Sequence, residues 1–287
     1  MLIDLQFHST YSDGFLTPNE LASFLKQQGI KVASLTDHNT VGGLSQFRDA
    51  CKKKKIKAIN GMELYVTYQK KKMNMLWYNF DEDDIELHKT LRNSHVRRRG
   101  SVRRILEKLV EKGFKLNIDK TLDKYIRYVP INYIVGDIWA VPDNRAKIRK
   151  ELNKKIIRED DIIHAYFKNF EIGKLGETYI SLGKIMKLRE KAGGQIILNH
   201  PGKHSRIRED LWEDFKKAGV DGVEILSPHH SVGAIMYIQD LAAKFDFIET
   251  GGSDFHRHEG GNSLIQNYSQ YFRINSKYLR KVDEIIG

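Results

Sequence analysis

The chain has 287 residues, enough to bury a substantial core, and its 48 Lys and Arg against 37 Asp and Glu give a net charge of +11, which favours an anionic partner such as a nucleotide, a nucleic acid or another phosphate. Its one cysteine, Cys51, excludes an internal disulfide framework and a thiolate-rich zinc site, so any metal must rest on nitrogen and oxygen ligands. Apolar runs such as Ile196–Leu198 and Ile235–Ile238 fall far short of the roughly 20 residues that span a bilayer, and with a strand-like N-terminus they suggest a cytoplasmic chain without a membrane anchor.

Leu2–Phe7 alternates as a strand. Thr17-Pro18-Asn19-Glu20 then places an N-cap, a proline at the first helical position and a capping-box glutamate in register, and Leu21, Phe24 and Leu25 form the apolar stripe of the helix that follows. Gly29 stands where a C-cap glycine belongs, and Val32–Leu35 reads as the next buried strand. The rhythm continues with a helix over Gly43–Lys53, a strand over Ala58–Val66 and an extended stretch over Met73–Phe80. Residues 81–173 break it: they are charged and helical in period, with a long helix predicted from Asp84 to Lys112 ending at Gly113, and the aromatic, β-branched Tyr125–Val141 fits no element. Beyond them come helix Leu182–Ala192, strand Gln195–Asn199, helix Glu209–Ala218, strand Gly222–Leu226, helix Val232–Phe245, strand Phe247–Thr250 and a helix near Lys277–Ile286.

Strands alternating with helices imply a parallel sheet with helices outside, either doubly wound or closed as a barrel. His8, His38, Glu63, His200 and Asp254 each fall at or just past the C-terminal end of a predicted strand, where barrel enzymes assemble their chemistry, so the barrel is the preferred expectation. The expected architecture is a seven-stranded β/α, TIM-like barrel formed by residues 1–80 and 174–287, with a mostly helical insert over 81–173. With Asp13 and His256, the rim offers four imidazoles and three carboxylates. Such ligands suit Zn, Mn or Fe. Closely spaced cations acidify a bridging water and neutralise charge growing on a phosphoryl oxygen, so phosphate hydrolysis is the natural chemistry.

The succession Phe-His-Ser-Thr-Tyr-Ser-Asp-Gly (7–14), Thr-Asp-His-Asn (36–39), Gly-Met-Glu (61–63), Asn-His-Pro-Gly (199–202) and Gly-Ser-Asp-Phe-His (252–256) resembles the PHP family, the polymerase and histidinol phosphatase domain, and within it the stand-alone metal-dependent phosphoesterases. The resemblance is specific in the first 65 and last 95 residues and thin in the insert. It implies a distorted form of that seven-stranded barrel with a trinuclear metal cluster at its rim, of which two to three divalent ions are expected here: Asp13, His38 and His256 on one; His8, Glu63 and Asp254 with position 6 on a second; and Glu63 bridging to a third held by His200 and position 74. It also implies nucleotide phosphates or short oligonucleotides as substrates, cleaved through a hydroxide that bridges the ions.

Two positions depart from the family pattern, Gln6 and Asn74, where relatives carry histidine. A neutral amide oxygen is the poorer ligand for Zn or Mn, so both are expected to bind weakly. The insert's Val135–Ala140 lacks the Arg and His of the corresponding family stretch. Lys203 is a candidate phosphate contact as a point charge, and Arg98 and Arg99 are further candidates, although like Lys52–Lys55 and Lys70–Lys72 they also suit a solvated face. In Pro228-His229-His230 one imidazole, His230 in particular, is a candidate general acid or substrate ligand, with helix capping the equal alternative. Glu224 reads as a structural partner, His204 and His258 as surface residues. Tyr65, Tyr68, Trp77 and Tyr78 read as core aromatics with base stacking the lesser alternative. Rival readings are a degenerate member of the family that binds metal or nucleic acid with little turnover, and a metal-assisted C–N hydrolase, for which no lysine lies in a bridging motif. Oligomeric state is not encoded in any visible pattern.

Overall fold

The computed structural model describes residues 1–169, 171, 172, 175, 179–203, 209–257 and 273–287, and His204 and His258 lie outside this set. The chain divides into two compact units, Met1–His88 with Ile180–Gly287, and Lys89–Tyr179.

In the first unit the strands are β1 (Leu2–Asp4), β2 (Val32–Leu35), β3 (Lys57–Tyr68), β4 (Lys71–Tyr78), β5 (Ile180–Ser181), β6 (Gln195–Leu198), β7 (Gly222–Leu226), β8 (Ile248–Gly251) and β9 (Ile274–Asn275). They form one sheet in the order β8-β7-β6-β4-β3-β2-β1-β9, with β5 paired to β3. Beyond β1 the chain stays extended and is hydrogen-bonded to the segment after β8: Leu5 N donates to Gly251 O at 3.2 Å, Asp254 N to Gln6 O at 2.9 Å, and His8 N to Phe255 O at 2.9 Å. These bonds nearly close the sheet into a barrel. Its interior and flanks are filled by fully buried Phe7, Phe47, Trp77, Trp212, Phe215 and Phe247.

Three features differ from the sequence expectation. The sheet has nine strands among the described residues, because two-residue β5 and β9 are too short to show periodicity. It is also not all parallel. β3 and β4 form an antiparallel hairpin from Gly61↔Tyr78 to Tyr68↔Lys71, and β4 runs antiparallel to β6 as well. Only Gln69 and Lys70 separate the two strands, both at positive φ (47° and 63°); so short a link makes a tight hairpin turn and cannot make a parallel crossover. Third, the expected helix near Lys277–Ile286 is reduced to Asp283–Ile286. The residues before it are tied to β8 instead, with Glu249 N donating to Arg280 O at 2.9 Å and Arg280 N to the Glu249 carboxylate at 3.1 Å.

The helices in chain order begin with α1 (Pro18–Gln27) and α2 (Leu44–Lys54). The capping box at α1 forms as its sequence requires: Thr17 N donates to Glu20 Oε2 at 2.8 Å and Glu20 N to Thr17 Oγ1 at 3.3 Å. Next come α3 (Ile85–Glu111), α4 (Ile118–Asp123), α5 (Ile131–Ala140), α6 (Pro142–Leu152) and α7 (Glu159–Ile162), which continues into a π-helical turn over Ile163–Phe167. Within Lys89–Tyr179 the described residues form helices and their connections, packed around a core that includes Leu106, Leu109, Phe114, Ile134, Ile148 and Phe167. The segment Tyr125–Val141, which the sequence left unassigned, contributes α5. Its buried Ile131, Ile134, Val135 and Ile138 fall at helical spacing. The first unit resumes with α8 (Leu182–Ala192), α9 (Glu209–Lys217) and α10 (Val232–Lys244). No helix among the described residues is long and apolar enough to cross a membrane.

Candidate metal centre

The site is built where the sheet closes. Gln6 and His8, two apart on the extended chain after β1, point to one face. They are held against Asp254 by the closing hydrogen bonds, and Gly252 permits the approach: a Cβ there would lie 2.5 Å from both Gln6 N and Gln6 Cβ. The loop after His8 folds back so tightly that a Cβ on Gly14 would meet His8 O at 2.2 Å, and this turn brings Asp13 beside His8. Behind it the Asp37 carboxylate accepts from Ser9 N (2.8 Å), Ser9 Oγ (2.6 Å) and Ser12 Oγ (2.5 Å), tying the Asp13 loop to the end of β2 that carries His38.

Glu63 lies inside β3, which runs on to Tyr68, and its backbone O accepts from Asn39 N at 2.8 Å. Because β4 is antiparallel, Asn74 near its start reaches the same end of the barrel. Asn39, His200 and Asp254 all have positive φ (49°, 24° and 48°), a backbone state disfavoured for side-chain-bearing residues that is commonly retained at functional sites. His200 is held there in part by its N–H, which donates to Glu224 Oε2 at 3.2 Å.

All seven residues expected to bind metal converge. His8 Nε2 lies 3.1 Å from Glu63 Oε2 and 3.1 Å from Asp254 Oδ1, while His8 Nδ1 faces Asp13 Oδ1 at 3.7 Å. Asp13 is also 3.5 Å from His38 Nε2 and 3.4 Å from His256 Nε2. Glu63 reaches His38 Nδ1 at 3.7 Å and His200 Nε2 at 3.4 Å. Among the described residues, two groups of donors are compact enough for an ion: His8, Asp13, His38 and His256, and His8, Glu63 and Asp254. His8, Glu63 and Asp254 form a buried floor, whereas the side chains of Asp13 and His256 are 21% and 30% exposed, so the centre opens on that side.

The charges support one another. Burial by itself would lower the pKa of His8, but hydrogen bonds to Asp254 and Glu63 hold it well above the ordinary imidazole value. His256 is raised by the Asp13 and Asp254 charges against burial and the neighbouring His8. His38 and His200 are pushed down to about 4, burial outweighing their carboxylate neighbours. Against the opposing effect of burial, the imidazoles hold Asp13, Glu63 and Asp254 below the ordinary carboxylate range. Behind this layer burial pushes Asp4 up to about 7 and raises Glu224 well above its usual value, the Asp254 charge adding to the latter.

Gln6 Nε2 donates to Glu63 Oε2 at 3.3 Å and Asp254 Oδ1 at 3.0 Å, and Asn74 Nδ2 donates to Glu63 Oε1. Lys203 Nζ lies 3.9 Å from Asp254 Oδ2 with its side chain nearly half exposed. Of the two adjacent histidines, His229 turns into the centre, its Nε2 2.6 Å from Asp254 Oδ2. His230 turns to the main chain, accepting from Gly202 N at 3.1 Å and donating to Ile225 O at 2.7 Å, so both its ring nitrogens are engaged in holding the His200–Gly202 loop. The two sit in a tight turn in which His230 N donates to Ser227 O at 3.0 Å, and the sequence does not tell which of them points inward.

Arg98 is buried in the second unit, where Nε donates to Val129 O at 2.7 Å and the guanidinium lies over Tyr128; Arg99 pairs there with Asp123 at 2.6 Å. Tyr65 stacks on His38 at 4.7 Å between ring centroids. Trp77 and Tyr78 are core, as expected. Asp37, which fixes the Asp13 loop, carries no sequence signal beyond its place beside His38.

A model of the PHP domain matches residues 4–279 of the chain. This chain belongs to the PHP family. Among similar PHP relatives, the phosphoribosyl 1,2-cyclic phosphate 1,2-diphosphodiesterase of Eggerthella lenta is 24% identical over 260 residues, covering 89% of this chain and 94% of that protein. The 3',5'-nucleoside bisphosphate phosphatase of Chromobacterium violaceum is 27% identical over 271 residues, covering 91% and 90%. A solved structure from Bifidobacterium adolescentis, classed as a metal-dependent phosphoesterase, superposes with a TM-score of 0.77 at 20% identity, over 99% of this chain and 95% of that one, and establishes the shared fold.

Proposed function

We propose that this PHP protein is a divalent-metal-dependent hydrolase that cleaves a phosphate ester of a nucleotide or another small phosphorylated metabolite. The observation that carries the reading is the convergence of His8, Asp13, His38, Glu63, His200, Asp254 and His256 on one partly open centre. The donor set fits Zn, Mn or Fe, with imidazole and carboxylate and no thiolate. Bound there, such ions acidify a water and offset charge that develops on a phosphoryl oxygen. The protein's own contribution is placement. Asp37 fixes the loop of Asp13, His229 orients Asp254, and Glu224 holds the backbone at His200. Lys203, at the exposed side of Asp254, is suited to receive a phosphate oxygen as a point charge. The two curated relatives, which act on a cyclic phosphate and on a nucleoside bisphosphate by their names, support small phosphorylated substrates.

The test is phosphate or phosphomonoester release from a panel of sugar and nucleotide monoesters, nucleoside 3',5'-bisphosphates, a cyclic phosphate and short oligonucleotides, with Mn, Zn or Fe supplied. The expected result is turnover of at least one member, reduced about 100-fold or more in Asp13→Ala and His256→Ala, since even outer-layer changes at metal sites cost 10–100-fold. No release across the panel from metal-loaded protein sinks the reading.

A further inference from the structure

The two donor groups share His8 and differ in what holds them apart. In the first, Asp13 Oδ1 lies 3.4 Å from His256 Nε2 and 3.7 Å from His8 Nδ1, and Asp13 Oδ2 lies 3.5 Å from His38 Nε2. These gaps exceed the usual hydrogen bond of about 2.9 Å. They approach the roughly 3.3 Å that separates two ligands of a tetrahedral ion with bonds of about 2.05 Å. His8 Nδ1, wholly buried, faces this group without a hydrogen-bond partner.

The second group is closed by N–H donors. His8 Nε2 lies 3.1 Å from both Glu63 Oε2 and Asp254 Oδ1, and Gln6 Nε2 donates to the same two oxygens. The other Glu63 oxygen receives Asn74 Nδ2. A carboxamide presents partial positive charge on its N–H side and partial negative charge on its oxygen. Facing two carboxylates, only the N–H side is attracted. The oxygen would be repelled unless a cation stood between. Gln6 is fully buried, so it has no room to swing clear into solvent. With Nε2 engaged by the two carboxylates, Nδ1 is the ring nitrogen that His8 directs at the first group.

We propose that Gln6 and Asn74 stand in for cations at Glu63 and Asp254, so that the centre holds a single tightly bound divalent ion on Asp13, His38, His256 and His8 Nδ1 in place of two or three. The proposal rests on the reading of the cluster as a metal centre and sharpens it. Relative to the family pattern, His8 is reassigned from the second ion to the first, and the amides act as hydrogen-bond donors and not as weak ligands.

Ion counting tests it without any substrate. The protein, loaded with excess Zn and separately with excess Mn, is desalted and its metal measured by mass spectrometry against protein concentration. The expected content is about one ion per chain. Gln6→His, Asn74→His and the double variant each exchange a donor for a lone pair, and the double variant is expected to rise to two or more, its fold checked by circular dichroism. Two or three ions retained by the unaltered protein, none above trace, or a folded double variant that stays at one would each overturn the proposal. One ion without phosphate release would sink the phosphoesterase reading and leave this one standing; three ions with release would do the reverse.

Discussion

Replacing Asp37 with alanine probes whether the centre depends on a residue that touches none of its candidate ions. Asp37 accepts three hydrogen bonds, from Ser9 N, Ser9 Oγ and Ser12 Oγ, at 2.8, 2.6 and 2.5 Å. Bonds to a charged acceptor contribute about 1.5–3 kcal/mol each, a gross roughly between 5 and 9 kcal/mol. Burial nonetheless raises the Asp37 pKa despite these bonds, so desolvation of the carboxylate cancels a large part of that gain. A net loss of about 2–4 kcal/mol is left for Asp37→Ala, which strands the buried Ser9 and Ser12 donors. For a unit of this size, about 2–4 °C per kcal/mol converts this to a fall in Tm of roughly 5–15 °C. Asp13 also loses its anchorage, so affinity for the ion should fall about 10–100-fold. Differential scanning calorimetry of the metal-free protein and competition against a chelating dye for Zn read the two effects separately. An alanine variant with both Tm and affinity unchanged would refute the reasoning; Asp37→Asn, which keeps one acceptor oxygen, should fall between.

Metal uptake should release protons. His8 and His256 have pKa values raised above the ordinary imidazole value by neighbouring carboxylates, so near neutral pH they tend to carry protons that coordination must displace. Affinity should therefore climb as pH rises, and calorimetric heats of binding should vary with buffer ionisation enthalpy; heats independent of buffer would count against it. In the metal-free protein the sign is opposite: a histidine with a raised folded pKa lends stability that is complete below its unfolded value and is lost as pH rises through the folded one. Gly252→Ala should cost about 3 kcal/mol and weaken metal binding, because its Cβ would sit 2.5 Å from the Gln6 backbone that closes the barrel. A crystal structure of that variant with the Gln6–Gly252 spacing unchanged would contradict it.

Much of the first unit was legible in the order of residues. The capping box at Thr17–Glu20 forms α1 because every group it needs lies within four residues, and local chemistry of that kind is complete in the sequence. The seven metal-ligand types were recognisable for a related reason: all but Glu63, which lies within β3, follow a buried strand, and strand ends at one side of a barrel must meet. Tertiary structure decided what depended on direction and partners. The two-residue turn Gln69–Lys70 reverses β4, and without that reversal Asn74 would not reach Glu63. Neither periodicity nor composition separates His229, which meets Asp254, from His230, which holds Gly202, since both follow the same strand. Gln6 gave the widest gap between sequence and structure. From its type alone it is a poor ligand, but placed between two buried carboxylates its N–H group becomes the favourable face, and only the folded arrangement determines which side of an amide points inward.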